Sequence, residues 1–281
     1  MKTKMILMVS AAIFLALLLA IGFIHWRSVQ ARKGPPAKTR FVRQAVKRKR
    51  QLPPPAAVKR ANLPKIAIVI DDFGYNKNNI EELFGINIPV TLSVLPGLRY
   101  SSEIALLSRS RGCEVILHLP LEARNKEVRE EADTIKTGMS EEDVAKTLDK
   151  AMASVPGLSG VSNHMGSKAT EDKALMSIVF KRLKSRGLYF FDSLTSDRSV
   201  CRQVAGSIGL RYARRDIFLD NSNAPAGIEK ELLSLRKRAL RYGRAIAICH
   251  DRKNTITALA KAMPDMARNG IEFVPLSEMV R

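Results

Sequence analysis

The stretch Lys65-Ile-Ala-Ile-Val-Ile-Asp-Asp-Phe-Gly-Tyr75 constrains this chain more than any other. A run of β-branched and apolar residues stops at two adjacent carboxylates and a glycine. An uninterrupted apolar run from Ile66 to Ile70 reads as a strand covered on both faces, the usual state in a parallel sheet under helices. Asp71 and Asp72 then stand at the strand's C-terminal end, where open α/β sheets and α/β barrels bind their ligands. Successive strand residues point to opposite sides, so the pair is expected to divide its work, one carboxylate for a metal and one for a proton. A plain Asp-Asp turn or helix cap is the structural alternative.

From residue 65 onward strand and helix signals alternate. Expected strands are Val90–Leu95, Cys113–His118 stopped by Pro120, Gly160–His164, Leu188–Asp192, a blurred segment within Leu210–Leu219, Ala245–His250 and Ile271–Pro275. Expected helices are Asn78–Phe84, Ser101–Arg111, one opened by Ser140, Asp172–Arg186, Val200–Ile208, Ile228–Tyr242 and Thr255–Arg268, the last disturbed at Pro264. Residues 122–138 read as a long loop. Seven or eight βα units in about 215 residues suit a small or incomplete (β/α) barrel, with an open doubly wound sheet as the alternative. No GxGxxG follows the first strand, which disfavours a dinucleotide-binding domain.

Charge is unevenly spread. Residues 1–65 carry 15 Lys/Arg and no acid, leaving 32 basic against 27 acidic residues in the rest, so the formal +20 belongs mostly to the N-terminal arm. The arm has one aromatic after Trp26, Phe41, so it lacks the stacking residues of a nucleic-acid surface, and no nucleic-acid partner is expected. Met5 to Ile24 is an uncharged apolar run of about 20 residues, long enough to span a bilayer and longer than the apolar region of a cleaved signal peptide. Residues 1–27 are therefore expected to be a signal anchor, a single-pass transmembrane helix. Residues 28–63, with Pro35-Pro36, Pro53-Pro54-Pro55 and Lys47-Arg48-Lys49-Arg50, are expected to be a basic, proline-rich linker, and 64–281 the folded domain. The excess of Lys/Arg after the apolar run favours a cytoplasmic C-terminal side. Cys113, Cys201 and Cys249 lie in or near apolar stretches with no CxxC spacing, so they read as buried hydrophobes.

The polar residues that end the apolar strands are Asp71 and Asp72, His118, His164, Asp192 and His250. Of four histidines, one borders the apolar run and the other three all close strands. Singly, His118 reads as a core histidine, His164 as a turn residue, Asp192 as a helix cap and His250 as half of a surface pair with Asp251. Together, in a barrel, they converge on one mouth. Carboxylate and neutral imidazole suit a borderline cation such as zinc, and one acid with two histidines leaves a position open for water.

At these residues the chain resembles the divergent polysaccharide deacetylase family, relatives of the carbohydrate esterases that remove acetyl groups. The resemblance covers about residues 64–280 and rests on Ile-Asp-Asp-Phe-Gly at 70–74, Leu-Ser-Val-Leu-Pro at 92–96, His-Leu-Pro-Leu-Glu at 118–122, Asn-His-Met-Gly-Ser at 163–167, Phe-Phe-Asp-Ser at 190–193 and the strand ending in His250. It implies a distorted barrel, a divalent metal (Zn2+ the expected one) and a polysaccharide substrate in the cell envelope. It implies Asp71 as general base, Asp72 with His118 and His164 as metal ligands, and His250 as acid for the leaving group. Glu122, Asn163, Ser167 and Asp192 would bind substrate or support the site. Two departures stand out. The family's His-x-x-x-Ser/Thr-x-x-His segment is absent, so the two histidines must come from separate strands, and no arginine-proline motif is found. The resemblance favours export, with the domain on the periplasmic side of an inner membrane, against the charge count. The rival expectations are a catalytically silent glycan-binding scaffold and a regulator facing the cytoplasm.

Overall fold

A computed structural model describes residues 63–281, together with Phe23, Trp26 and Arg27, which are helical and exposed. Nearly all of the expected signal anchor and of the proline-rich linker lies outside the described residues. Among the described residues no helix is long and apolar enough to cross a membrane.

Nine strands form one sheet with every ladder parallel. In chain order they are β1 (Lys65–Phe73), β2 (Thr91–Val94), β3 (Glu114–Leu121), β4 (Gly160–Met165), β5 (Tyr189–Asp192), β6 (Tyr212–Arg214), β7 (Ile217–Phe218), β8 (Arg244–His250) and β9 (Glu272–Phe273). The helices are α1 (Ile80–Gly85), α2 (Ser101–Ser110), α3 (Glu141–Ala153), α4 (Lys173–Ser185), α5 (Cys201–Ile208), α6 (Pro225–Tyr242) and α7 (Lys253–Arg268). The spatial order is β6-β5-β4-β3-β2-β1-β8-β7, with β9 added to the start of β1. β6 and β7 follow one another in the chain but do not pair. The sheet therefore curls into an incomplete barrel with one open seam, as the βα alternation implies.

Strand periodicity separates two apolar layers. Ile66, Ile68 and Ile70 of β1, Leu117 and Leu119 of β3, and Ala245, Ala247 and Cys249 of β8 face the helices. Ala67, Val69, Ile116, Ile246, Ile248, Tyr189 and Phe191 face the barrel interior. The three β1 isoleucines are wholly buried, each worth about 1.5–3 kcal/mol of apolar transfer. Val274, Leu276 and Met279 join the inner layer and close its floor, where the Leu276 N–H donates to Thr91 Oγ1 at 3.0 Å. The floor is filled, so the cavity opens at the C-terminal ends of the strands.

Several local expectations change. β3 does not stop at Pro120 but runs through it to Leu121. β2 ends in register with Leu117, and the Pro120 carbonyl, on that side, takes the Ile135 N–H; the missing proline N–H leaves no β2 ladder bond unmade. The blurred strand at 210–219 is two strands, one on each side of the seam. α6 starts at Pro225, where a proline fits the first turn, and α7 passes through Pro264 without a break. Ser140 caps α3 by accepting the Asp143 N–H at 3.1 Å, but Asp143 returns its carboxylate to the Ser140 hydroxyl rather than to a backbone N–H.

Gly160 opens β4 on the inner layer, and a Cβ there would collide with the ring of Tyr189, which is wholly buried. Gly160→Ala is expected to cost about 1–3 kcal/mol through overpacking and to lower the thermal midpoint by roughly 2–4 °C per kcal/mol for a domain of this size. Thermal unfolding followed by circular dichroism checks this; an unchanged midpoint means the ring can move aside.

Candidate metal centre

Alternation carries the inner layer straight into a set of polar groups at the mouth. Asp71 follows Ala67 and Val69, His118 follows Ile116, and His250 follows Ile246 and Ile248. Ser93 of β2 and Ser162 of β4 lie among them, both wholly buried. Asp71 sits beside His250 in the β1–β8 ladder, and His118 beside Ser162 in the β3–β4 ladder.

Asp72 should by alternation point away from this set. It does not, because the β1–β2 register shifts between Ile70 and Phe73 and Asp72 takes a left-handed backbone with φ of 68°. Such a conformation is costly for a residue with a Cβ and is held in place by its surroundings. The two carboxylates therefore share one cavity, contrary to the expectation that they face opposite sides. Asp72 Oδ1 lies 3.3 Å from His118 Nε2 and 3.1 Å from His164 Nδ1. The imidazoles stand edge-to-face with centroids 4.9 Å apart. One ligand atom from each of Asp72, His118 and His164 falls within 4.8 Å of the other two.

The electrostatics match a cation site. Burial pushes His118 down to about 4, so the ring is neutral at neutral pH and one nitrogen holds a lone pair. Its Nδ1 lies 2.8 Å from Ser162 Oγ, which lies 2.7 Å from Ser93 Oγ, whose hydroxyl faces Asp71. The three donors in this row are satisfied when His118 Nδ1–H donates to Ser162, Ser162 to Ser93 and Ser93 to the Asp71 carboxylate. That leaves the His118 Nε2 lone pair aimed at Asp72 Oδ1, which is buried and has no hydrogen-bonded donor. Burial raises the Asp72 carboxyl, but the two imidazoles beside it, His118 and His164, outweigh that and lower the group below the ordinary carboxylate range. Converging lone pairs around an orphaned carboxylate oxygen are what a divalent cation would satisfy, and the donor set fits one.

The other residues of the wall do different work. Burial first, then the Asp72 charge, push the Asp71 carboxyl well above the usual range, and its Oδ1 also lacks a donor. His250 Nε2 lies 3.8 Å from Asp72 Oδ2, while its Nδ1 lies 3.0 Å from Asp220 Oδ1. Asp220 is wholly buried and also accepts the His250 N–H at 3.0 Å and the Thr255 hydroxyl at 2.8 Å. Burial raises its carboxyl, but these bonds hold it below the ordinary carboxylate value. These groups line a cavity of about 380 Å³ together with Thr195, Phe218, Asn221 and Arg252.

Of the supporting residues expected from sequence, only Asn163 lines this cavity, and it acts on the backbone: its Oδ1 accepts the Ser193 N–H at 2.9 Å. Asp192 faces outward from β5, wholly buried, and accepts from Leu194 N–H, Ser199 and Tyr212. Glu122 pairs with Lys168 at 2.7 Å and accepts from Thr137, which pins the loop after β3. Ser167 accepts the Arg124 N–H at 3.0 Å. These three shape the rim and do not line the cavity. Asp220 is the residue the sequence reading passes over. Its signal is the Ile217-Phe-Leu-Asp220 run, an apolar segment ending in an acid like β1 and β5, hidden because the strand is only two residues long.

A model of the divergent polysaccharide deacetylases matches residues 68–280. The chain belongs to that family. An uncharacterized protein of Haemophilus influenzae is 32% identical over 217 residues, 77% of each chain. The structure of an uncharacterized protein from Agrobacterium tumefaciens superposes with a TM-score of 0.74 at 26% identity, covering 78% of this chain and 90% of that one. The catalytic domain of a peptidoglycan N-acetylglucosamine deacetylase from Eubacterium rectale shares the fold, with a TM-score of 0.51 at 13% identity over 77% of this chain and 90% of that one.

A buried, unpartnered carboxyl has a sign that can be measured. Its pKa is raised on folding, so the native state binds more protons than the unfolded chain and loses stability as pH rises through the raised value. With a chelator present, Asp71→Asn is expected to melt above the wild type at pH 8, and the margin should shrink as the pH is brought toward 4. A margin that grows on acidification would show that Asp71 is stabilised as a carboxylate.

Proposed function

We propose that this protein is a metal-dependent hydrolase that removes acyl groups, most simply acetyl, from a cell-envelope polysaccharide. The observation that carries the reading is the trio Asp72, His118 and His164 around an orphaned carboxylate oxygen, within one cavity that also holds a buried acid and an acid-paired histidine. Family membership supports the reaction class, and the donor chemistry of one carboxylate and two imidazoles favours Zn2+.

In this reading Asp72, His118 and His164 hold the cation, which supplies Lewis-acid polarisation of the acyl carbonyl. Asp71, shielded from solvent and raised in pKa, takes the proton of the attacking water. Ser93 and Ser162 link Asp71 to His118 and fix the ring so that Nε2, not Nδ1, is presented to the cation. Asp220 does the same for His250. By accepting Nδ1–H it leaves Nε2 facing the cavity, placed to hand a proton to the departing amine or alcohol. Export across the inner membrane belongs to the same proposal. It rests on the length of the Met5–Ile24 apolar run and on the envelope location of such substrates; a periplasm-active reporter fused after Arg281 that stays dark would overturn that part.

Zn2+ at 100 times its Kd is expected to stabilise the purified chain by about 2.7 kcal/mol, read as a higher melting temperature. Asp72→Ala should abolish both the shift and acetate release from acetylated glycans. Ser162→Ala should keep the fold and weaken metal affinity by roughly 10–100-fold. Asp71→Asn and His250→Ala should each lower turnover by roughly 10²–10⁴-fold while metal still binds. Glycan retention with no metal shift and no acetate release would favour the silent-scaffold alternative.

A further inference from the structure

The open seam has a second cavity beside it. This one, of about 530 Å³, is lined by Arg215, Phe218, Asn221, Ser222, Lys230 and Glu231 among others. Phe218 and Asn221 also line the metal cavity, so the two spaces share a wall. Phe218 is the last residue of β7, and its ring has two cationic or ionisable groups close by. The His250 imidazole centroid is 5.2 Å away and the Arg215 guanidinium 5.4 Å. Arg215 is tied down by donating to the carbonyls of Ser193 at 2.6 Å and Leu194 at 3.0 Å, and forms no ion pair among the described residues. Lys230 is exposed, projects from α6 and also pairs with no acid among the described residues. Glu231 is the sole acid of the lining. The metal cavity, by contrast, holds Asp71, Asp72 and Asp220.

We infer that this second cavity is a subsite for an acidic group, a sugar carboxylate, on a residue neighbouring the one that is deacylated, so that the preferred substrate is an anionic glycan. The inference rests on the hydrolase reading of the metal centre for its location. Three observations carry it: a space that shares Phe218 and Asn221 with the metal cavity, one fixed and one free cation without carboxylate partners among the described residues, and the place of Arg215 and Phe218 at the unpaired β6–β7 edge. Arg215 is held by the Ser193 and Leu194 carbonyls, so its position is set before a ligand arrives and little ordering entropy is lost on binding. Lys230 is a compact charge on a flexible stem at the entrance, suited to follow a carboxylate on a mobile polymer.

The test compares binding of two tetrasaccharides to the purified full-length chain by calorimetry: an oligomer of alternating N-acetylglucosamine and glucuronate, and chitotetraose, which is neutral. The basic arm attracts any polyanion, but it is common to wild type and variants, so differences among them report the cavity. Lys230→Glu is expected to weaken the acidic tetrasaccharide at least tenfold and to leave chitotetraose within twofold. Lys230→Arg should retain wild-type affinity, and Glu231→Gln should tighten the acidic ligand alone. A Lys230→Glu variant that binds both ligands as the wild type does, loses both equally, or follows a wild type that binds neither, overturns the inference. Intact metal-dependent acetate release beside any of those results leaves the hydrolase reading standing. A charge-dependent preference without acetate release leaves the subsite standing and removes the hydrolase.

Discussion

The interior of a curled parallel sheet is a poor place for charge, and this protein puts three carboxylates there. Asp71 and Asp220 are almost or wholly shut off from solvent, and the Oδ1 of Asp72 is buried although the residue itself reaches the cavity. An unpaired carboxylate in such a setting costs several kcal/mol unless something answers it. Asp220 is answered by a histidine, a threonine and a backbone N–H. Asp72 meets two imidazole nitrogens at 3.1 and 3.3 Å, neither well aligned to donate. Asp71 meets little besides Ser93. The gradient from satisfied to unsatisfied is the structure's main asymmetry. It separates a carboxylate that orients a neighbour from two whose buried oxygens have no donor.

Much of this was legible because the strands alternate. Once β1, β3 and β8 are read as buried strands, the parity of Asp71, His118 and His250 with apolar inner residues fixes their direction, whatever their separation in sequence. Asp72 is the exception that parity gets wrong. Its left-handed backbone depends on a register shift with β2 that no local pattern announces. The same parity explains why Asp192 does not line the cavity: it ends a strand as Asp71 does, but on the helix side, where Ser199 and Tyr212 take it up. The resemblance to the family implies Glu122 and Ser167 as supporting residues, through the segments 118–122 and 163–167. Beyond a strand's end alternation no longer applies, and their side chains hold loops instead.

Asp220 was missed for a different reason. A strand of two residues has no periodicity to read, and its placement comes wholly from pairing with β8. The acid that holds His250 therefore arrives by a tertiary route from a segment that looks like loop. The serines at 93 and 162 are similar. Each is an unremarkable polar residue within an apolar strand, and only the ladder neighbours show that they join His118 to Asp71.

The seam follows from the same short strands. β6 and β7 are three and two residues long, with a sharp break between them, so one segment of chain supplies both edges and neither reaches the other. A fully closed barrel can be entered only through its mouth, which suits a small molecule better than an internal residue of a polymer. Leaving one wall unpaired costs a few backbone hydrogen bonds, and the edges are short and partly bonded elsewhere: Tyr212 exchanges hydrogen bonds with Arg281, and the Asp216 N–H reaches the Ile246 carbonyl. Phe218, on this unpaired edge, lines both the metal cavity and the space beside it. A chain could lie across the top of such a half-barrel with one acyl group turned down toward Asp71, which a closed ring of eight strands would not permit without wide displacement of its loops.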